Sequence, residues 1–237
     1  MSPRLRTIRS EAAKSPILKV LIAGIEVPSR ARDIHDVVNR LVQGSRHRID
    51  VSIVEMGDRG KFQNLNEAIA RAPEPLEHYD WLIITDDDIA FAPSFLDLYL
   101  AIAGEADFVL SQPAHLLQSY ASYALTLRRW NTLARRTRFV EIGPITFIRA
   151  TGFGKLVPFP ATRWGWGVDP VWSAIAERND WRIGIVDALP IRHLRPVAAA
   201  YDGEAAKKEG EALMRAKGVT ASRRELLGFS ETLMRAF

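Results

Sequence analysis

Three consecutive carboxylates, Asp86, Asp87 and Asp88, follow the apolar run Trp81–Thr85. Carboxylates this close together repel one another, and burying them without a countercharge costs free energy. A bound hard cation removes that conflict. Because side chains alternate along an extended strand, Asp86 and Asp88 share one side and form the expected working pair. Two alternatives stay open. The same three residues can form a solvated acidic turn, and phosphatases, receiver domains and nucleotidyltransferases also carry aspartates at strand ends.

A second motif, Trp164-Gly165-Trp166-Gly167, places two indole rings between glycines in a segment rich in proline and glycine. Flat apolar faces of this kind stack on sugar rings, and glycines let the backbone come close to a ligand. The pattern therefore predicts a loop that binds a carbohydrate.

Asp169 comes directly after this loop and precedes Pro170. An aspartate followed by proline is a common helix start, with the aspartate as N-cap and the proline at the first helical position. Asp169 also stands beside whatever the tryptophans hold, so it is equally a candidate catalytic base. A helix N-terminus favours negative charge, and we therefore expect this carboxylate to be ionised at neutral pH.

His193 lies in the segment Ile191-Arg192-His193 after a strand-like stretch. A lone histidine more often occupies a surface or a core than a metal site. Near a pair of strand-end aspartates, however, it would complete an oxygen-plus-imidazole donor set that suits Mn²⁺, with Mg²⁺ as the weaker alternative.

Gly60 and Lys61 open a predicted helix close to Asp58. A helix N-terminus that carries a lysine is a natural anion site, and an aspartate accepts hydrogen bonds from a base or a ribose. Ordinary helix capping accounts for the same residues equally well, so both interpretations stay open.

Strands and helices alternate in the first half of the chain. Apolar runs predict strands at residues 17–24, 49–55 and 81–85, and helical spacing of apolar residues predicts helices at 31–43 and 61–71. This order predicts a mostly parallel sheet flanked by helices, with ligands bound beyond the carboxyl ends of its strands. The second half is less regular: we expect a helix over residues 115–133, a loop over 157–167 and polar helices after residue 203.

The composition fits one α/β domain. The chain has 237 residues, of which 47% are hydrophobic, and no apolar run is long enough to span a bilayer. It has no cysteine, which excludes disulfides and thiolate metal sites and permits a reducing cytoplasm. We expect a flexible basic tail over residues 1–14, a catalytic domain over 15–198 and a helical extension over 199–237.

The positive charge is concentrated in one segment. The net charge is +4, and residues 128–138 contain five arginines, Arg128 and Arg135 among them, but no acid. No helix-turn-helix, zinc finger or aromatic-basic repeat accompanies them, so nucleic acid is not an expected partner. The segment can receive an anionic acceptor or an anionic lipid surface, or it can be a solvated helix face.

Together these motifs resemble the inverting glycosyltransferases of the Asp-x-Asp type, closest to the beta-1,4-galactosyltransferases, over about residues 17–195. The resemblance implies a Rossmann-like nucleotide-diphospho-sugar transferase (GT-A) fold. The segments that carry it are Pro28-Ser29-Arg30, Gly57-Asp58 with Phe62, Asn64 and Asn66, Asp86 to Asp88, Glu141 to Thr146, Trp164 to Gly167, and Ile191 to His193.

The resemblance also implies residue roles. Asp88 and His193 would bind the metal, Mn²⁺ or Mg²⁺, and Asp169 would be the base. The implied substrate-binding residues are Arg30, Asp58, Lys61, Asp86, Asp87, Gly143, Trp164, Trp166 and Gly167.

Two positions depart from the family pattern. The family follows its Trp-Gly-Trp-Gly loop with Gly-Glu-Asp, whereas this chain has only Val168-Asp169, so one acidic residue is missing. Pro190 stands where the family has a methionine that binds metal, and a proline side chain cannot coordinate. Metal affinity or preference is therefore expected to differ.

The sequence thus predicts a metal-dependent transferase that moves a sugar from a nucleoside-diphosphate donor, UDP-linked, to an acceptor hydroxyl with inversion. A sugar-nucleotide nucleotidyltransferase and a non-catalytic carbohydrate-binding module are the alternatives. The expected location is the cytoplasm, with contact at the inner membrane face through residues 128–138.

Overall fold

The alternation of strands and helices is present in the computed structural model, which describes residues 2–196 and 202–237. Its strands are β1 Lys19–Glu26, β2 Arg48–Glu55, β3 Trp81–Thr85, β4 Ile89–Ala90, β5 Leu110–His115, β6 Thr132–Thr137, β7 Ile145–Arg149, β8 Ile183–His193 and β9 Ser230–Arg235. Its α-helices are α1 Pro3–Ala12, α2 Ala31–Val42, α3 Lys61–Ala70, α4 Phe95–Glu105, α5 Phe153–Leu156, α6 Val168–Arg178, α7 Gly203–Ala216 and α8 Arg223–Leu227.

These strands form one sheet in the order β2-β1-β3-β7-β5-β8-β6-β9, with the short β4 paired to β8. β1 pairs in parallel with β2 and β3, and β5 pairs in parallel with β8. β7 and β6 run against their neighbours on both sides. The carboxyl ends of β1, β3, β5 and β8 therefore meet at one edge, which is the ligand edge expected for such a sheet.

Helices cover both faces of the sheet. One apolar layer packs beneath α1, α2 and α4, and a second packs beneath α3, α5 and α6. In α2 the residues Ile34, Val37, Val38 and Leu41 are buried at helical spacing, as the sequence pattern predicts. Burial on both faces accounts for the continuous apolar composition of β1 and β3. Within residues 2–196 and 202–237, no helix is long and apolar enough to cross a bilayer.

Residues 2–14 differ from the flexible tail that the sequence analysis expects. Ser2 caps α1 through its side chain, Pro3 occupies the first turn, and Ile8 is buried in the layer that contains α4. The buried Ile8 and the partly buried Leu5 anchor this polar helix, and two apolar residues are too weak a pattern to reveal a helix from sequence.

Residues 202–237 are only partly helical. After α7 and α8, the strand β9 pairs antiparallel with β6 and completes the sheet. The expected domain boundary at residues 198 and 199 falls outside the described residues. Of the expected helical extension, α7 and α8 are helices, whereas the last segment, β9, belongs to the sheet and covers the edge that β6 would otherwise expose.

The helix expected over residues 115–133 is wrong. β5 ends at His115, a loop with a short 3₁₀ turn at Ala124–Thr126 follows, and β6 begins at Thr132. The arginines of residues 128–138 consequently do not share a helix face.

Arg135 is fully buried rather than part of a basic surface. Its Nε donates to Asp187 Oδ2 at 2.8 Å, its second guanidinium nitrogen donates to the Leu127 carbonyl, and both ion-pair partners have 0% side-chain exposure. Arg136 and Arg138 lie over the ring of Phe229. The basic segment is thereby divided: Arg135 is internal, whereas Arg128, Arg129 and Arg138 are exposed.

We expect Arg135→Ala to lower the free energy of unfolding by about 3 to 5 kcal/mol, because it leaves Asp187 buried without a countercharge. Urea denaturation followed by circular dichroism measures this change. Arg128→Ala is the matched control, since Arg128 is exposed and its loss should cost less than about 0.5 kcal/mol. Equal stability of the two variants would contradict the structural role of the Arg135–Asp187 pair.

Candidate functional site

The three strand-end carboxylates each have a different cationic partner. Asp86 contacts Lys61 Nζ at 2.7 Å, and Asp88 Oδ2 lies 3.1 Å from His193 Nε2. Asp87 Oδ1 accepts from Arg195 at 2.9 Å. Asp87 thus has arginine partners, whereas Asp86 and Asp88 meet the lysine and the histidine that the sequence analysis singled out.

Lys61 is the first residue of α3, and this helix begins against the loop of residues 157–167. The N-cap is Gly60, and a Cβ there would lie only 2.1 Å from the carbonyl oxygen of Thr162. The Lys61 amide donates to the Arg163 carbonyl at 3.1 Å, which joins the helix start to the loop. A side chain at position 60 would force the two segments apart, so glycine is required by this close approach.

Arg30, in the 3₁₀ turn Pro28–Arg30, places its Nε 3.2 Å from Asp87 Oδ2. Arg195 bridges Asp87 and Asp33 of α2. Asp58, in contrast, is exposed on the turn between β2 and α3, and its backbone carbonyl accepts from Arg163 at 3.5 Å. Arg30 thus belongs to the carboxylate cluster, whereas the hydrogen bond that Asp58 accepts connects it to Arg163 of the tryptophan loop, residues 157–167.

His193 is held by three contacts, two with backbone and one with a serine hydroxyl. His193 pairs with Ile89 where β4 and β8 run antiparallel. Its backbone amide donates to Ser119 Oγ at 2.7 Å, and its ring Nδ1 donates to the Tyr120 carbonyl at 2.9 Å. A carbonyl can only accept, so Nδ1 carries a proton and Nε2 faces Asp88. This is the orientation that a histidine needs in order to use Nε2 as a metal ligand.

The Asp88–His193 contact also sets the charges of its members. Burial disfavours both charged forms, but the hydrogen bond and the attraction between the two side chains outweigh it. The pKa of Asp88 is therefore lowered and the pKa of His193 is raised.

One oxygen and one imidazole nitrogen fit a divalent cation such as Mn²⁺ but do not complete its coordination. Within the part of the chain that the structure describes, no cluster of three or more His, Cys, Asp or Glu side chains could hold a metal. A cation held by Asp88 and His193 would therefore need further ligands from water or from a bound molecule.

The tryptophan loop is shaped by its glycines and held by α7. Gly165 and Gly167 both have φ +85°, and a Cβ at Gly167 would lie 2.6 Å from the Gly210 carbonyl oxygen. Glu209 accepts from the Arg163 amide at 2.8 Å and from the Trp164 amide at 3.1 Å. Trp164 and Trp166 are partly exposed on this framework.

Asp169 is not the N-cap that the sequence allows. Gly167 is the N-cap of α6, and Asp169 is the second residue of the helix, with its side chain buried. Burial, followed by the nearby charge of Glu141, raises the pKa of Asp169 to about 8. The expectation of an ionised carboxylate at neutral pH is therefore corrected, because loss of hydration outweighs the favourable helix N-terminus.

Glu141 and His115 are site residues that the sequence analysis did not assign. Glu141 Oε2 lies 3.9 Å from His115 Nε2, and both atoms are buried without a hydrogen-bond partner among the described residues. Burial raises the pKa of Glu141, and burial together with the His193 charge lowers the pKa of His115 to about 4. One signal existed: Glu141 is the only acidic residue between Asp107 and Asp169.

Gly143 lies between Glu141 and the acidic cluster. A Cβ at Gly143 would meet the Glu141 side chain at an ordinary 3.5 Å, and the next residue, Pro144, accepts from the Asp86 amide at 2.7 Å. The segment thus connects Glu141 to the end of β3, and sterics alone do not require the glycine.

Helices on both faces of a mixed sheet, with a partly buried carboxylate cluster at the carboxyl end of β3, define an α/β protein of the Rossmann-like class. No family model and no curated protein matches the chain. Among solved structures, GalNAc-T7 in complex with UDP, GalNAc and Mn²⁺ aligns with a TM-score of 0.58 and 12% identity, over 78% of this chain and 45% of that one. The chain therefore has the Rossmann-like nucleotide-diphospho-sugar transferase (GT-A) fold and spans less than half of the length of this neighbour. A197 from STIV aligns with a TM-score of 0.47 and 14% identity, over 76% of this chain and 86% of that one.

The raised pKa of Asp169 predicts a pH-dependent stability. The folded chain holds a proton that the unfolded chain releases above about pH 4, so stability is lost as pH rises through about 8. Asp169→Asn removes this titration, and its stability relative to the wild type should increase by several kcal/mol between these pH values.

Chemical denaturation at a series of pH values measures this difference. Glu141 and Tyr123 are the ionisable groups electrostatically coupled to Asp169 and remain in the variant. Asp107→Asn, at a side chain that is 70% exposed, is the control and should not reproduce the trend. Parallel pH profiles for wild type and Asp169→Asn would contradict a buried, proton-holding Asp169.

Proposed function

We propose that this protein is a metal-dependent glycosyltransferase that moves a sugar from a UDP-linked donor to an acceptor hydroxyl with inversion. The observation that carries the proposal is the charge arrangement at the carboxyl end of β3, where Asp86 meets Lys61 and Asp88 meets His193. The fold supports it, since the aligned GalNAc-T7 structure contains UDP, GalNAc and Mn²⁺.

The proposed donor site surrounds the acidic cluster. Lys61 contacts Asp86 and Arg30 contacts Asp87, and these two cations would attract the diphosphate. Asp86 and Asp58 would accept hydrogen bonds from the nucleoside. The residues proposed to line the sugar sites are Asp87, Gly143, Trp164, Trp166 and Gly167.

Asp88 and His193 would hold the metal, Mn²⁺ or Mg²⁺, through Oδ2 and Nε2. When bound, such a cation neutralises charge that develops on the departing diphosphate. Since these two side chains leave most coordination positions open, the diphosphate itself would complete the set. Metal and nucleotide are therefore expected to bind together.

The proposed displacement uses Asp169 as the base. The acceptor oxygen forms a bond to the anomeric carbon, the bond from that carbon to the diphosphate breaks, and the hydroxyl proton passes to the Asp169 carboxylate. The ionised form of Asp169, which is the minor form at neutral pH, is the base, and its pKa of about 8 makes it a stronger proton acceptor than a solvated aspartate. A cytoplasmic location fits the absence of cysteine.

Nucleotide binding is the most direct test. With Mn²⁺ present and UDP at about 100 times its dissociation constant, stability should rise by about 2.7 kcal/mol, or roughly 5 to 10 °C in Tm. UDP in the presence of a chelator should produce little shift. A thermal-shift titration measures both.

Asp88→Ala and His193→Ala should each abolish the metal-dependent part of this shift, whereas His78→Ala, at an exposed histidine beneath the opposite end of the sheet, should retain it. If UDP stabilises the protein equally in Mn²⁺ and in chelator, the metal bridge is wrong. Normal Mn²⁺-dependent binding in both variants would show that other residues hold the metal.

Asp169→Asn separates binding from chemistry. The variant should keep the Mn²⁺-dependent UDP shift, because within residues 2–196 and 202–237 no side-chain hydrogen bond or ion pair joins Asp169 to Asp86, Asp87 or Asp88. UDP release from a UDP-sugar, with water as acceptor, should fall by roughly 10² to 10⁴ because an amide cannot accept the proton. Wild-type release by the variant would assign the base to another residue, and the adjacent Glu141 would be tested next.

A further inference from the structure

Two of the most exposed aromatic side chains lie at the same end of the last two strands. Trp130 is 85% exposed and Phe237 is 79% exposed. Trp130 precedes β6 and Phe237 follows β9, and the Ala236 amide donates to the Asn131 carbonyl at 3.3 Å. The antiparallel pairing of β6 and β9 therefore brings two residues together that are far apart in the sequence.

Arginines surround this aromatic pair. Arg128 and Arg129 precede Trp130, Arg235 precedes Phe237 by two residues, and all three are exposed. No acidic residue occurs in residues 108–140. The nearby Asp187 is buried and engaged with Arg135 and with the Arg129 amide. We call Arg128, Arg129, Trp130, Arg235 and Phe237 the Trp130 surface.

We propose that the Trp130 surface docks onto an anionic lipid bilayer. Aromatic side chains are favoured at the boundary between headgroups and acyl chains, where apolar area is buried without full dehydration. Arginines beside them meet lipid phosphates, and each contributes about 1 kcal/mol near an anionic membrane. The exposed aromatic side chains match the boundary between headgroups and acyl chains, and the exposed arginines match the lipid phosphates.

A second copy of the chain fits the same surface less well. A two-fold interface would place Arg128, Arg129 and Arg235 against their own copies, and like charges in contact oppose association. A polyanion without an apolar phase would use the arginines but leave Trp130 in water. An anionic lipid bilayer is therefore the partner that can bind both the arginines and the aromatic side chains of the Trp130 surface.

The Trp130 surface and the candidate site lie at the same end of the sheet. β6 runs antiparallel to β8, so the start of β6, next to Trp130, lies towards the end of β8 that carries His193. Docking would hold the site close to the headgroups. If the protein has the proposed function, the acceptors within reach are hydroxyls at a membrane surface. This inference about acceptors rests on the proposed function. Docking itself does not depend on that function.

Co-sedimentation with vesicles tests the docking step without any donor or metal. We expect the full chain to sediment with phosphatidylglycerol–phosphatidylcholine vesicles and to stay in solution with phosphatidylcholine alone. Raising the salt from about 0.1 M to about 0.5 M should release it, since screening shortens the reach of surface charge.

Two variants separate the apolar and ionic contributions. Trp130→Ala should weaken partitioning roughly 10-fold, and Arg128→Glu with Arg235→Glu should weaken it by on the order of 100-fold or more. The matched control is Arg40→Glu with Arg48→Glu, the same change in charge at exposed residues near the opposite end of the sheet. The control should retain most of the binding.

Equal binding to neutral vesicles, an equally large loss in the control, or no sedimentation at all would overturn the proposal. Sedimentation velocity identifies the competing occupant: a dimer that Trp130→Ala dissociates, without vesicle binding, would assign the surface to a second copy. Because UDP binding is measured separately, failure of docking and failure of the glycosyltransferase proposal are distinguishable.

Discussion

Electrostatic repulsion among Asp86, Asp87 and Asp88 is the constraint on which the surrounding architecture depends. Each carboxylate meets a cation from another element: Lys61 at the start of α3, Arg195 after β8, and His193 at the end of β8. Charge-assisted contacts of this kind are strong when partly buried, and loss of one partner leaves an uncompensated charge. The end of β3 therefore draws together segments more than a hundred residues apart, and the same charges that hold the fold are those available to a ligand.

The tryptophan loop, residues 157–167, is likewise held in place by contacts with segments that are distant in the sequence. Its position follows from three close approaches that leave no room for a Cβ: Gly60 and Gly167 lie against backbone atoms, and Gly165 lies against the Phe62 ring. Glu209 then accepts hydrogen bonds from two consecutive loop amides. Helix α7, which the sequence presents as a polar extension, is thus part of the frame that presents the indole rings. A loop fixed at both its glycines and its amides offers a preorganised surface, which lowers the entropic cost of binding.

Burial decides what several charged residues can do. The sequence shows Asp169 and Arg135 only as charged residues in segments with a candidate function, the tryptophan loop and the arginine-rich segment. Desolvation raises the pKa of Asp169, so that it holds a proton near neutral pH, while Asp187 neutralises Arg135 inside the sheet. Glu141 becomes relevant for the same reason, because its buried charge acts on Asp169 across a low-dielectric region. None of these effects is visible without knowing which side chains lose their water.

The sequence by itself determined the alternating strands and helices, the buried β1 and β3, and the position of Asp86 to Asp88 at a strand end, because apolar periodicity and strand alternation are local properties. It also singled out His193 and Lys61 as chemistry-bearing residues. Only the tertiary structure decided that these side chains pair with Asp88 and Asp86, that α1 is anchored by Ile8, that β9 completes the sheet, and that Arg135 is internal. Those outcomes depend on contacts between residues distant in sequence and on the resulting loss of hydration, and no local pattern encodes either quantity.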